Sequence, residues 1–305
     1  MTAMGSTAVV GPAPVTPWPR PSLVAVPDLV GAASGRVPVP PDSGLHPWFP
    51  LSPCGAGCLV GRHDRATTVQ VAVRVLRTAA VAVAAACLWP VAAVAPAPVR
   101  RRFLRGLSRR VLRSLGLTVV VDDRRPFVSH SCGLIVANHV SYLDIPAVAM
   151  ISPARFVAKA EIVGTPVSAL PARILRAIRV ERNSLRRLPG TVHEVTGRLE
   201  LDESVAVFPE GTTRCGTTTG TFAPAFFQAA VDAGVPVLPI GLAFTTPSGS
   251  CPAAAFIGED TPWDTLRRVL RTRELSVRVT VHESQLPGAD RRELAARCAR
   301  LIAGG

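Results

Sequence analysis

GLIVANHVSYLDIPAVAMI (133–151) and ESVAVFPEGTTR (203–214) decide how this chain folds. Each contains a short, wholly apolar run of the kind that forms a strand buried on both faces. Each run opens into a polar loop: Asn138-His139-Val140-Ser141-Tyr142-Leu143-Asp144 after the first, Phe208-Pro209-Glu210-Gly211-Thr212-Thr213-Arg214 after the second. Outward from these, strand-like runs at 118–121, 154–158, 236–241 and 276–281 alternate with helical patterns at about 144–151, 167–178, 186–200, 222–233, 262–270 and 289–302. That alternation predicts an α/β fold with a mostly parallel central sheet flanked by helices. In such sheets ligands gather at the carboxyl ends of the strands, where both polar loops fall.

His139 stands one residue past the end of the first strand, and Asp144 follows five residues later. On one continuous helix that spacing would set the two side chains about 140° apart. They can meet only if a turn separates them, with His139 before the helix and Asp144 in its first turn. The carboxylate could then accept from one imidazole nitrogen and leave the other as a base. Taken alone, a helix-capping Asp and an incidental His are the favoured reading. The second loop adds a carboxylate, a glycine, two hydroxyls and a guanidinium, a set able to hold a phosphorylated ligand. Between the loops, Val180-Glu181-Arg182-Asn183 places another arginine after a short apolar run.

Hydrophobic residues make up 48% of the 305 positions and charged residues 18%, which excludes a wholly disordered chain. The net charge of +13 comes from 34 Lys+Arg against 21 Asp+Glu, and Lys159 is the single lysine. The excess is local: residues 62–125 hold 13 arginines and three aspartates, while residues 1–61 hold two of each. The basic region contains only two aromatics, Trp89 and Phe103, so it is poorly supplied with base-stacking platforms, and nucleic acid is not an expected partner. An anionic membrane surface is, because the same region holds the most apolar stretch of the chain.

That stretch, TAAVAVAAACLWPVAAVAPAPV (78–99), carries no charge over 22 positions, a length suited to a bilayer. Ten of its residues are alanine, and prolines 90, 96 and 98 are expected to break its second half as a helix. A spanning helix and a half-buried, monotopic segment remain open. RRRFLRGLSRRVLRSLGL (100–117) follows, with Leu104, Leu107, Val111 and Leu115 on one face and six arginines filling much of the rest, the pattern of a basic amphipathic helix on anionic lipid. An ordinary surface helix would look similar. The expected organisation is a Pro/Gly-rich tail over 1–61, a membrane-association segment over 62–117 and a catalytic domain over 118–305. Seven scattered cysteines form no disulfide framework. Cys54-x3-Cys58 with His63 nearby resembles half a metal site with no second pair to complete it, and no metal ligands are assigned.

In chain order, NHVSYLD (138–144), RVERNS (179–184), FPEGTTR (208–214) and VPVLPIGL (235–242) resemble the blocks of the glycerolipid acyltransferase family, the 1-acyl-sn-glycerol-3-phosphate acyltransferases and their relatives. The resemblance covers about 118–285 and includes FVAKAEIVGTP (156–166), which holds Lys159. It departs from the family pattern at Glu181, where aspartate is usual, and at Phe222-Ala223-Pro224-Ala225, where a lysine often follows the third block. The resemblance implies direct acyl transfer from a thioester, acyl-CoA or acyl carrier protein, to the hydroxyl of 1-acylglycerol-3-phosphate, giving phosphatidate. His139 would be the base and Asp144 its orienting partner, with no cofactor beyond the acyl donor. Arg182, Gly211, Thr212 and Arg214 would serve the acceptor phosphate, with Lys159 as a further contact, and Glu210, a carboxylate that cannot bind phosphate directly, would position an arginine or the acceptor hydroxyl. It also implies a cell-membrane location with the catalytic domain facing the cytoplasm. Another lysophospholipid or a lyso-ornithine lipid is the alternative acceptor. A non-catalytic basic membrane-binding protein is the alternative of another class, against which the intact His139 and Asp144 speak. A serine hydrolase is disfavoured by the lack of a Gly-x-Ser-x-Gly elbow.

Overall fold

β2 (Leu134–Ala137) lies inside the sheet and is buried at every position. The computed structural model describes residues 52–59, 64–126, 132–160, 166–181, 184–258 and 260–304, so the tail over 1–51 and His63 lie outside the described residues. Around β2 the strands are β1 (Thr118–Asp123), β3 (Arg155–Lys159), β4 (Ile178–Val180), β5 (Val205–Val207), β6 (Val237–Thr246), β7 (Gly249–Ser250) and β8 (Ser276–Val281). They form one sheet in the order β1-β8-β6-β2-β5-β3-β4, with β7 paired to β6. Pairing is parallel from β6 through β4 and between β1 and β8, and antiparallel between β6 and β8 and in the β6–β7 hairpin. The mostly parallel α/β architecture is therefore as expected.

Alternation along β2 divides the core. Ile135 and Ala137 face a cluster with Leu112, Val148, Ile240, Val269 and Val279, whereas Leu134 and Val136 face one with Val195, Leu199, Phe227 and Leu294. The helices α3 (Asp144–Ile151) and α7 (Pro262–Arg271) thus cover one face of the sheet, and α5 (Leu188–Glu200), α6 (Phe227–Ala233) and α8 (Arg291–Ala303) cover the other. Side chains of opposite parity on a buried strand point to opposite faces, so both layers are needed to bury this apolar run.

Two elements differ from expectation. The helix expected over 167–178 is α4, Pro166–Ile174, and the chain then turns through Arg176, whose φ is 49°. Ile178–Val180 becomes the edge strand β4, too short at three residues to show a periodic signal. The helix expected from 222 starts at Phe227. Ala223 is instead held back over the second polar loop by its N–H to Pro209 O (2.9 Å).

The N-terminal helices are α1 (Thr68–Val94) and α2 (Ala97–Ser114). α1 begins at a capping box: Thr67 Oγ1 accepts from the Gln70 N–H, and Gln70 Oε1 accepts from the Thr67 N–H. Contrary to expectation, Pro90 does not break it, and the helix runs on through four further residues. The alanine-rich run supplies strong helix formers on both sides of the one lost ladder bond. The break falls at Ala95–Pro96, and Pro98 sits in the first turn of α2, where its missing N–H costs nothing.

α2 does not present its apolar face to the outside. Leu104, Ser108 and Leu112 are buried, and Leu112, Leu115 and Leu117 join the same core cluster as the sheet. The segment expected as separate over 62–117 therefore shares its packing with the α/β unit. The exposed face of α2 carries Arg101, Arg102, Arg109, Arg110 and Arg113. α1 is tied to the same unit at its base, where Arg74 Nη1 donates to the carbonyls of Leu270 and Thr272 (both 2.8 Å) and Thr78 Oγ1 meets Ser114 Oγ at 3.2 Å. The start of α1 thus meets the end of α2, and the two-residue link joins their other ends, which makes the pair an antiparallel hairpin. Beyond its base α1 is long and apolar enough to cross a membrane by length and composition, with a mean hydropathy of 1.9 and 6% burial in its most apolar window.

Leu112→Ala is expected to cost about 2–5 kcal/mol in unfolding free energy. Arg109→Ala, on the exposed face of the same helix, should stay within about 0.5 kcal/mol. Urea unfolding in mild detergent, followed by circular dichroism, checks both. A Leu112 variant as stable as the Arg109 variant would mean that α2 is not core.

Candidate active site

Because β2, β5, β3 and β4 run parallel, their carboxyl ends share one edge of the sheet. The chain leaves β2 at Asn138, and this residue replaces the missing ladder with its side chain. Asn138 Nδ2 donates to Leu242 O (2.9 Å), and its Oδ1 accepts from the Leu242 N–H (2.7 Å). The bidentate amide keeps the start of the loop fixed to β6 while the backbone turns outward. The sequence reading gave Asn138 no role, and a single buried asparagine carries no signal of its partner 104 residues away.

The turn Asn138–Leu143 delivers Asp144 to the first residue of α3, and His139 meets it. One carboxylate oxygen, Oδ2, accepts from His139 Nδ1 (2.8 Å), from the Val140 N–H (2.6 Å) and from the Ser141 N–H (2.8 Å). Ser141 braces the turn: its Oγ accepts from the Leu143 N–H and its carbonyl from the Asp144 N–H. Asp144 is fully buried. A carboxylate with these donors, at the positive end of a helix, is held in one orientation. The network assigns the proton to His139 Nδ1 and leaves Nε2 with its lone pair, without a partner among the described residues. The imidazole side chain keeps 16% exposure, so a substrate can reach it.

The second loop packs directly on the first. Phe208 stacks on the His139 ring, with centroids 4.1 Å apart and planes 12° from parallel, and Phe156 lies behind Phe208 at 6.1 Å. This apolar wall fixes the imidazole plane. Phe208 also went unassigned in the sequence, because only the fold brings it against His139. Glu210 Oε1 accepts from the His139 N–H (3.0 Å), and the Arg214 N–H donates to His139 O (2.8 Å). The loop thereby grips His139 from both sides of its backbone.

The Glu210 side chain is almost wholly buried and ion-paired to Arg214, with Nε 2.8 Å from Oε2. The Arg214 Nε–H does not point along that line, so the contact is chiefly electrostatic. Burial pushes the Glu210 carboxyl above the usual range, and the N–H groups of His139 and Gly220 together with Arg214 pull it back. Gly220 donates its N–H to Glu210 Oε2 (3.0 Å), and a Cβ there would fall 2.4 Å from Arg214 Nε and 2.7 Å from Glu210 Oε2. Only glycine fits this approach, and nothing local in the sequence marks it.

Of the residues singled out from sequence, His139, Asp144, Glu210 and Arg214 are joined in one network. Gly211 closes the turn after Phe208 at φ 73°, with its N–H to Phe208 O (3.1 Å), and Thr212 follows half-buried. Lys159 ends β3 opposite Val180 of β4 at the same edge of the sheet. Arg182 lies outside the described residues; its neighbour Glu181 is ion-paired to Arg187. Tyr142 donates to Pro262 O (3.0 Å), and burial pushes its phenol up to about 12, so it remains an O–H at neutral pH.

Residues 118–243 match the family model described as Acyltransferase. A 1-acyl-sn-glycerol-3-phosphate acyltransferase of Neisseria meningitidis is 34% identical over 184 residues, covering 59% of this chain and 70% of that protein. A lyso-ornithine lipid O-acyltransferase of Pseudomonas aeruginosa is 32% identical over 209 residues, covering 67% and 78%. The fold matches the crystal structure of the 1-acyl-sn-glycerophosphate acyltransferase PlsC from Thermotoga maritima with a TM-score of 0.60 and 20% identity, over 78% of this chain and 95% of that one. The chain therefore belongs to the glycerolipid acyltransferase family and is an acyltransferase.

Proposed function

We propose that the protein moves a fatty acyl group from acyl-CoA or acyl carrier protein to the free hydroxyl of 1-acylglycerol-3-phosphate at a membrane surface, yielding phosphatidate. The observation that carries the chemistry is the 2.8 Å contact of His139 Nδ1 with a fully buried Asp144, which leaves Nε2 as the basic nitrogen. Nε2 takes the hydroxyl proton as the acceptor oxygen attacks the thioester carbonyl. The tetrahedral oxyanion collapses, the C–S bond breaks, and the departing thiolate takes the proton from the imidazolium. Asp144 stabilises that cation and remains ionised. A thiolate leaves readily, so the residues need form no covalent acyl-enzyme.

Glu210 acts as a positioning residue: a carboxylate repels a phosphate, and here it holds Arg214 and the His139 backbone. Arg214, Lys159 and Arg182 are the cations proposed to meet the acceptor headgroup. A lyso-ornithine lipid is the second reading. It is favoured by the Glu210–Arg214 ion pair, which consumes charge that a phosphomonoester would call on, and by the Pseudomonas relative. The antiparallel α1–α2 hairpin supports monotopic attachment, because a deep insertion of α1 would drag the Arg100–Arg102 end of α2 into hydrocarbon. Exposed arginines on α2 then face anionic headgroups, and the donor class places the catalytic unit on the cytoplasmic side.

His139→Ala should lower lysolipid-dependent thioester cleavage by about 10²–10⁴-fold without loss of fold, and Asp144→Asn comparably. Near-normal turnover in either variant overturns the base assignment. Comparing lysophosphatidate with lyso-ornithine lipid as acceptor selects between the two readings.

Gly220→Ala should displace the Glu210–Arg214 pair and reduce activity, whereas Gly197→Ala, in open space within α5, should leave activity unchanged. The second change should stabilise the helix by about 0.5–1 kcal/mol. Equal activity in both variants would show that the pair does not position the site.

Replacing Arg101, Arg102, Arg105, Arg109, Arg110 and Arg113 by glutamine removes roughly 1 kcal/mol of lipid attraction per charge near the surface. Vesicle sedimentation should show the variant released at high salt, with activity on a dispersed short-chain acceptor retained. Full retention through salt and carbonate washes would mean that α1 anchors the protein alone.

A further inference from the structure

Cys54, Cys58 and Cys215 bring their three Sγ atoms within 4.8 Å of one another. Two of them come from the segment before α1, where Cys58 sits within a short 3-10 turn, Ala56–Leu59. The third stands 161 residues after Cys54 and directly follows Arg214. The sequence showed only the Cys54-x3-Cys58 half; the fold supplies the missing thiol.

We propose that these three cysteines form a structural site for a thiophilic divalent cation of the zinc class. Four-coordinate zinc with Zn–S bonds of about 2.3 Å needs sulfur atoms roughly 3.8 Å apart. The three sulfurs, all within 4.8 Å of one another, exceed that spacing by no more than about 1 Å. Among the described residues no further His, Cys, Asp or Glu joins the group, which leaves the fourth position of the tetrahedron open.

The surroundings are those of ligating sulfur. The Cys215 N–H donates to Cys54 Sγ (3.4 Å), and the Thr217 hydroxyl meets Cys215 Sγ at 3.0 Å. Such outer donors orient metal-bound thiolates and disperse their charge. Ser52 reinforces the junction, its Oγ donating to Thr213 O (2.7 Å) and accepting from the Cys54 N–H (3.2 Å). A single disulfide would use two of the three sulfurs and strand the third in this junction, whereas one cation uses all of them.

The site has a consequence for the catalytic edge. A cation here clips residues 52–59 to the strand-end loop whose Arg214 N–H holds His139 O. Closing so long a loop through metal bonds converts binding free energy into folding free energy. The proposal concerns structure and does not depend on which acceptor the enzyme takes.

The full chain, purified in detergent with a reductant and without chelator, should contain about one zinc per chain by elemental mass spectrometry. Cys58→Ser and Cys215→Ser should each lower this to below about a tenth, and Cys87→Ser, on the exposed face of α1, should leave it unchanged. Cobalt added to zinc-stripped protein should give a thiolate-to-metal charge-transfer band, lost in Cys58→Ser. Should the serine variants fold poorly, stripping zinc from the wild-type chain and restoring it should lower and then recover its Tm. Reduced wild-type protein that binds neither zinc nor cobalt overturns the proposal. So does unchanged metal content in Cys58→Ser and Cys215→Ser, or a disulfide between two of the three sulfurs that survives the reductant.

Discussion

One carboxylate oxygen organises the turn that leaves β2. Asp144 Oδ2 accepts from two backbone N–H groups and from His139 Nδ1, all within 2.8 Å. Removed from water, this oxygen would be costly to leave unpaired, and its three donors belong to three successive residues of one turn. The turn, the start of α3 and the imidazole tautomer are therefore solved together. An orientation that satisfied the carboxylate without the histidine would leave a ring nitrogen facing a buried charge. An orientation that satisfied the histidine alone would open the turn.

The second loop depends on the first. Glu210 and Arg214 hold His139 through its N–H and its carbonyl, and Phe208 fixes its ring plane. Glu210 is buried enough for its carboxyl to be raised, yet it remains paired with Arg214 and two N–H groups. The arrangement spends polar groups on rigidity. Under the proposed function, preorganisation of this kind would let His139 act as a base without reorganising as charge develops. It also explains why glycine stands at 220, since any side chain would occupy the space of the ion pair.

α2 resolves an ambiguity that its pattern could not. An amphipathic basic helix can turn its apolar stripe to lipid or to protein. Here Leu104 and Leu112 are buried, and the arginines remain outside. Arg105 is pushed below its usual range by partial burial and by Arg101 and Arg102, the mark of a crowded positive surface. The exposed apolar surface lies on α1 instead, where Val83, Leu88, Val91 and Val94 are exposed.

Much of this was legible in the chain. Apolar runs wrote β2, β5 and β6 because strands buried on both faces exclude charge, and the polar loops after β2 and β5 marked the edge where His139 and Glu210 meet because a loop can carry what a buried strand cannot. The five-residue interval from His139 to Asp144 allowed the two to meet only across a turn, and the turn is there. What sequence could not supply were relations between distant residues: Asn138 with Leu242, Phe208 with His139, Gly220 with Glu210, and Cys215 with Cys54. Nor could it foresee the three-residue β4, or a helix that passes Pro90. Periodicity reports how one segment meets a core of unspecified composition. Which residue fills that core, and which partner satisfies a buried polar atom, is fixed only when strands far apart in the chain are laid side by side.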